Sequence, residues 1–376
     1  VEDFYLQVSM LAGERMQKKE NTLIFIDEIQ AYPHLLTLLK FLSQDDKFTY
    51  VASGSLLGVT LAKTTSIPIG SIRKVRMFPL DFEEFLFANG MNETVISAMR
   101  QKFDKLESLE ESMHDKMMDL FRKYLLVGGM PDAVNAYVQD KNIRSVREIQ
   151  SEIHEYYAAD ASKYEADRRL TIRRIYDMIP SNMENKKKRI VVQNIENKRG
   201  KTFRDYQEEF EYLINAGVVS SVQAISNPVF PLIESAGKNL LKLYLNDVGI
   251  LTGILYGNNI RAILDDQPSV NLGSVYETVV ANELKAHGYK LFYYDNRSKG
   301  EVDYLIDDYN SLSTVPIEVK SGKDYSIHSA LNHFVNNEDY HIKKAFVLSN
   351  ERTAQQKEKI LYIPIYYIMF FHSDAG

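Results

Sequence analysis

The chain opens with short apolar runs set between charged helical stretches. Residues 1 to 20 read as helix, and "NTLIFIDEIQ" follows as an apolar run ending on two acids, the pattern of a strand covered on both faces. Leu35, Leu38, Leu39 and Leu42 then recur at helical spacing, and "FTYVASGS" supplies a second such strand before "RKVRMFPLDFEEFLFANG". Strand, helix and strand in alternation predict an α/β arrangement. From Glu93 to about Tyr164 the pattern is mostly helical, with a sharp break in "VGGMPDAV" at Gly128, Gly129 and Pro131.

Residues 165 to 227 read as helix, basic polar stretch, second helix and hairpin. In "FRDYQEEFEYLINAGVVSSV" the residues Phe203, Tyr206, Phe210, Leu213 and Ile214 share one helical face, and Gly217 stops the helix. The order resembles a winged helix. Beyond Pro228, "NLLKLYLNDVGIL" and a helix near "SVYETVVANELKAHG" lead into "KLFYYDN", "EVDYLID", "PIEVKSG" and "KAFVLSN" as successive strands, with a helix around Ser329 to Phe334 before the last. Four segments result: 1–92, 93–164, 165–227 and 228–376.

Composition narrows the class. With 376 residues, 45% of them hydrophobic, the chain has material for two or three ordinary cores. It has no cysteine, which removes disulfides, thiolate metal sites and cysteine nucleophiles and fits a reducing, cytoplasmic setting. Ile360 to Phe371 is the longest apolar run, contains Pro364 and falls short of the roughly 20 residues that cross a bilayer, so no membrane span is expected. Val1 to Met10 carries acids where a secretory leader would carry a basic start, and the absence of an initial Met predicts a fragment. A net charge of −6 argues against a uniformly basic coat but leaves room for a local basic patch. The eight histidines show no H-x-x-x-H or H-E-x-x-H spacing, so zinc is not expected.

"LIFIDEIQ" sets Asp27 and Glu28 where a strand leaves the sheet, the edge at which α/β proteins hold ligands. Two readings are open on this stretch alone: a helix cap with a solvated neighbour, or an acid that holds Mg²⁺ followed by one that orients the attacking water. Ser55, at the tip of the next strand, would then sense the γ-phosphate. The order "LIFIDEIQ", "ASGS" and "SIPIGSIRKVRMFPLDFEEFL" resembles prokaryotic AAA+-type ATPases with a nuclease-like C-terminal domain, and Phe78 to Leu86 is its most specific signature in the first half. The resemblance implies Asp27 as a Mg²⁺ and nucleotide ligand, Glu28 as a catalytic residue and Ser55 as a nucleotide contact. The phosphate loop G-x-x-x-x-G-K-[S/T] has no match in the chain, so ATP is expected as a cofactor of a longer protein and hydrolysis is not expected of this stretch. Arg73 and Arg76 are candidates for an arginine finger or for solvated charges on a strand edge.

"GEVDYLID" followed by "PIEVKSG" resembles the D-x(n)-E-x-K arrangement of the PD-(D/E)XK phosphodiesterase fold. That resemblance puts Asp303 on one strand, Glu318 and Lys320 on its neighbour and Glu277 on the preceding helix. It implies Asp303, Glu318 and Glu277 as Mg²⁺ ligands and Lys320 as a catalytic residue over the water or the phosphate, since hard carboxylate oxygens suit Mg²⁺ and an ammonium offsets phosphate charge. The alternative is a surface ion pair between Glu318 and Lys320.

Between Lys186 and Arg204 stand eight basic residues, Lys186, Lys187, Lys188, Arg189, Lys198, Arg199, Lys201 and Arg204, against one acid, Glu196. They are either a solvated loop or the phosphate-contacting face of the winged helix. The expected architecture is therefore α/β: a partial P-loop AAA+ core, a helical lid, a winged helix and a PD-(D/E)XK nuclease-like domain. The expected partner is nucleic acid, DNA favoured, and a homo-oligomer is allowed. The competing reading is a regulatory adaptor whose nuclease-like domain binds without cutting.

Overall fold

A computed structural model describes residues 1–16, 18–54, 72–160, 168–185, 188–196, 200–236, 240–265, 270, 272–296, 300–322 and 328–373. The chain divides into two compact units, Val1–Met77 with Glu211–Gly217, and Phe78–Phe210 with Val218–Gly376.

In the first unit, helix α1 (Glu2–Ala12) precedes strand β1 (Leu23–Ile26), helix α2 (Pro33–Asp45) and strand β2 (Thr49–Ala52). The strands pair in parallel from Leu23 opposite Thr49 to Ile26 opposite Ala52. Alternation sends Ile24 toward Tyr5, Leu42 and Phe48, and Ile26 toward Ile29, Leu36 and Leu39. The opposite face carries Leu23 and Phe25, 58% and 57% exposed.

The second unit begins with helices α3 (Phe82–Ala88), α4 (Glu93–Asp104), α5 (Glu111–Val127), α6 (Pro131–Asp140), α7 (Ile143–Asp160), α8 (Arg169–Met183) and α9 (Gln193–Glu196), and holds the start of α10 (Gln207–Ala216), whose residues from Glu211 on belong to the first unit. Strands β3 (Val219–Ile225) and β4 (Leu241–Leu245) follow, then helices α11 (Val248–Tyr256), α12 (Arg261–Leu264) and α13 (Gly273–Ala286). The remaining elements are β5 (Phe292–Asn296), β6 (Gly300–Asp308), β7 (Ser313–Val319), helix α14 (Ser329–Val335), β8 (Ala345–Ser349), β9 (Gln355–Lys357) and β10 (Ile360–Pro364). The strands form one mixed sheet in the order β4-β3-β5-β6-β7-β8-β10-β9. Strands β5, β6 and β7 run as an antiparallel meander, and α14 carries the chain over to β8, which pairs in parallel with β7. Val302, Leu305, Leu331, Phe334, Val347 and Tyr362 belong to one apolar cluster between α14 and the sheet.

Two features depart from the expected segments. Strands β3 and β4 pair antiparallel as a hairpin would, but β3 also pairs in parallel with β5, so the hairpin extends the large sheet. Its apolar residues, Val219, Val222, Leu243 and Leu245, are nearly fully buried, and a free wing has no core to bury them in. The segment Phe78 to Gly90, grouped by sequence with the first 92 residues, lies in the second unit. Asp81 caps α3 in a reciprocal box with Glu84, and Phe82 and Phe85 are buried against Phe121, Tyr124 and Tyr137. The Phe82 amide donates to Glu283 of α13 at 2.8 Å.

The glycine pair at the α5–α6 break has a packing reason. Helix α5 ends at Gly128 with φ 71°, and the Gly129 amide donates to Asp247 at 2.7 Å while its carbonyl accepts from Leu80. Asp247 also caps α11 through Ile250 at 2.9 Å, and burial pushes its carboxyl up to about 6. A Cβ at Gly129 would overlap the Leu80 carbonyl. Among the described residues no helix is long and apolar enough to cross a membrane.

Gly129→Ala is expected to cost roughly 2–3 kcal/mol, read as a lowered urea midpoint, because backbone has to give way. A second expectation concerns Glu283, whose carboxyl burial pushes up to about 8. The folded chain keeps a proton there that the unfolded chain releases at about 4.3, so stability falls as pH rises across that interval. Wild type should therefore lose more stability between about pH 5 and about pH 8 than Glu283→Gln, whose pH slope should be the flatter in urea titrations.

Candidate functional site

At the end of β1, Asp27 accepts from the Glu28 amide at 3.1 Å and from the Ser53 hydroxyl, which stands just past β2. The two strand ends are tied by Ser53 donating to the Ile26 carbonyl at 2.9 Å and Ile29 donating to the Ser53 carbonyl at 3.0 Å. Glu28 adopts left-handed backbone angles, φ 52° and ψ 42°, which cost a non-glycine residue on the order of 1 kcal/mol and turn its side chain toward Gln30. The acids at the strand end are thus held by the neighbouring strand, and the hydroxyl that reaches Asp27 is that of Ser53. Ser55 lies outside the described residues.

The second constellation sits on β6 and β7 and is shaped by a bulge. Phe292 pairs with Leu305 and Tyr294 with Val302, so Asp303 and Tyr304 together oppose the single residue Tyr293. Tyr304 is opposite Ile317, which brings Asp303 alongside Glu318 one step further on. Asp303 accepts from the Val319 amide at 2.9 Å, so its carboxylate replaces a ladder partner where β6 and β7 part. Glu318 accepts from Lys320 at 2.9 Å through Oε1, while its Oε2 is buried without a hydrogen bond. Strand alternation has put the two side chains on one side, as the spacing implied.

Glu277 arrives from α13. Its Oε1 accepts from Lys188, its Oε2 from the Tyr244 hydroxyl at 3.3 Å, and its backbone carbonyl from the Tyr304 hydroxyl at 2.7 Å. Lys242 on β4 is 1% exposed, pairs with Glu301 and lies 4.6 Å from the centre of the Tyr293 ring.

The cluster therefore holds the carboxyls of Glu277, Glu301, Asp303 and Glu318 against the ammoniums of Lys188, Lys242 and Lys320, one carboxyl in excess. Burial, then repulsion from Glu318 and Glu277, pushes Asp303 well above the usual carboxylate range. Burial raises Glu318 as well, against the pull of Lys320. Burial works against the charge on Lys242, yet Glu277, Glu301 and Asp303 together hold its ammonium above the ordinary value. Lys320 is raised in the same sense, with Glu318 outweighing burial.

The resemblance pointed to Glu277, Asp303, Glu318 and Lys320, and all four lie in this field. It did not point to Lys242, Tyr244 or the pairing of Glu301, because nothing in a buried strand's apolar run announces a paired lysine except the lysine itself. Lys188 was read as part of the basic run. Its segment instead lies along β4, with the Ile190 amide donating to the Leu241 carbonyl at 2.9 Å, and its ammonium is spent on Glu277. Arg189 pairs with Asp295 at 3.3 Å and Lys201 with Asp205 at 3.4 Å, while Arg204 is exposed. Lys186, Lys187, Lys198 and Arg199 lie outside the described residues.

As a site for a hard divalent cation, the donor chemistry fits: three carboxyl groups, one of which, Glu318, keeps a buried oxygen without a hydrogen bond. Two of those carboxyls instead accept from ammoniums, Glu277 from Lys188 and Glu318 from Lys320. Among the described residues no group of three or more His, Cys, Asp or Glu side chains is set to hold a metal ion. Removing the deepest of the ammoniums, in Lys242→Met, should destabilise the second unit by roughly 3 kcal/mol in urea titrations, since carboxylates would be left buried without their counter-charge.

Comparison with known families assigns three stretches. Residues 2–86 match the model of an AAA domain, residues 118–259 a domain of unknown function (DUF8612), and residues 272–368 a second domain of unknown function (DUF4143). No curated protein and no solved structure matches the chain. The N-terminal region is thus AAA-type and ATPase-like, a class that uses nucleotide and Mg²⁺ in general.

Proposed function

We propose that the chain joins its AAA-type, ATPase-like region to a PD-(D/E)XK nuclease-like domain that acts on nucleic acid, DNA in the first instance. The observation that carries this reading is the meeting of Asp303 on β6 with Glu318 on the adjacent β7 and Lys320 just past its end, beside a bulge, backed by Glu277 from α13. A divalent ion at such carboxylates activates water and offsets phosphate charge. Asp303, Glu318 and Glu277 would hold it, with the orphaned Glu318 Oε2 as the readiest donor. Lys320, held charged by Glu318, would place its ammonium against the attacked phosphate. In the ATPase-like region, Asp27, anchored by Ser53, would face Mg²⁺ and ATP, with Glu28 toward the water and Ser55 toward the γ-phosphate. The basic stretch would add phosphate contacts through Arg204 and the lysines and arginine beside it.

A second reading, a binding platform without cleavage, is favoured by one observation: Glu277 and Glu318 already accept from lysine ammoniums. Nicking of supercoiled plasmid with and without Mg²⁺ separates the two. On the nuclease reading wild type nicks in Mg²⁺, and Asp303→Ala and Lys320→Ala each lose at least about a hundredfold in rate. Absence of cleavage on duplex, single-stranded and RNA substrates, with retained binding, would establish the platform.

A further inference from the structure

Of the three lysines in the cluster, two are fixed by the sheet, one within a strand and one at a strand's end, where the Lys320 amide donates to the Leu348 carbonyl at 2.8 Å. Lys242 lies within β4, closed off from solvent, and Lys320 directly follows β7. Lys188 differs. It precedes α9 in a stretch outside helix and strand, its side chain is 18% exposed, and its ammonium reaches in to bond Glu277. It can swing away by rotation of its own four-carbon stem, with no ladder broken.

Charge makes the position specific. Without Lys188, and with Lys242 set against Glu301, the carboxyl groups of Glu277, Asp303 and Glu318 face Lys320 alone, an excess of two acidic groups at one point. The Oε2 of Glu318, on a residue 8% exposed, is buried beside them without a hydrogen bond, which is costly unless something else fills the bond at some stage.

Building on the nuclease-like reading above, we propose that Lys188 is a tethered cation that holds the place of the divalent ion, closing the site until an incoming phosphate group draws its ammonium off Glu277. The phosphate is that of a nucleic acid backbone, the anion a compact ammonium at a site mouth meets when substrate arrives. Metal uptake and substrate binding are coupled in consequence. In the free chain only the fraction with Lys188 swung out accepts metal, and the apparent affinity is reduced by that fraction.

The test is Mn²⁺ binding to the full chain, followed by electron paramagnetic resonance and calorimetry, with no turnover required. Lys188→Met, which keeps the stem and removes the charge, is expected to bind Mn²⁺ roughly ten- to a hundredfold more tightly than wild type. Lys188→Gln, which still donates to Glu277 without charge, is expected to fall between them and serves if the methionine variant fails to fold. A short duplex oligonucleotide should tighten Mn²⁺ binding in wild type and leave Lys188→Met unchanged. Equal Mn²⁺ affinity in wild type and both variants, abolished in each by Glu318→Gln, overturns the role of Lys188 while leaving the metal site standing. Failure of all of them to bind Mn²⁺, with or without duplex, removes the metal site and the inference with it.

Discussion

The second unit depends on a balance of buried charge. Lys242 sits on an inner face of the sheet with essentially no access to water, and a lone ammonium there would be prohibitively costly. It is tolerated because Glu301 pairs with it and Glu277 and Asp303 stand close, while those acids are tolerated because Lys242, Lys188 and Lys320 answer them. Such a cluster is a poor way to gain stability, since apolar side chains of the same volume would pack as well.

Local backbone geometry sets those charges in place. The bulge turns Asp303 and Tyr304 together against one residue of β5, so Tyr304 reaches the Glu277 carbonyl while Asp303 meets the end of β7. Helix α13 is pinned from its other end. There Glu283 accepts from Phe82, and His287 lies 3.2 Å from Asp81, whose carboxyl falls below its usual range because the imidazole outweighs burial. The segment most characteristic of the ATPase resemblance thus supports the helix that carries Glu277.

How much of this was legible differs from residue to residue. The strands "LIFI" and "TYVA", the meander from Phe292 to Val319 and the helix over Ser329–Val335 all follow from apolar runs and their breaks. The E-x-K spacing of Glu318 and Lys320 implied a shared side, and strand alternation delivered it. The reading of residues 203–222 as a helix closed by Gly217 followed by a hairpin held locally, since Gly217 has φ 79° and β3 and β4 pair antiparallel. What that hairpin joined was not legible, because an apolar strand edge carries no mark of its lateral partner.

By itself, then, the amino-acid order determined element types, the turn chemistry at Gly128 and Gly129, and which acids share a short stretch, since these depend on neighbours within a few residues. Only the tertiary structure decided that β3 and β4 extend the eight-stranded sheet, that Phe78 to Gly90 belongs with the second unit, and that Lys188 and Lys242 face the carboxylates. The physical reason is range: the partners of a buried charge are chosen by position in space, and residues 188, 242, 277, 301, 303 and 318 come together only once the sheet has closed its order.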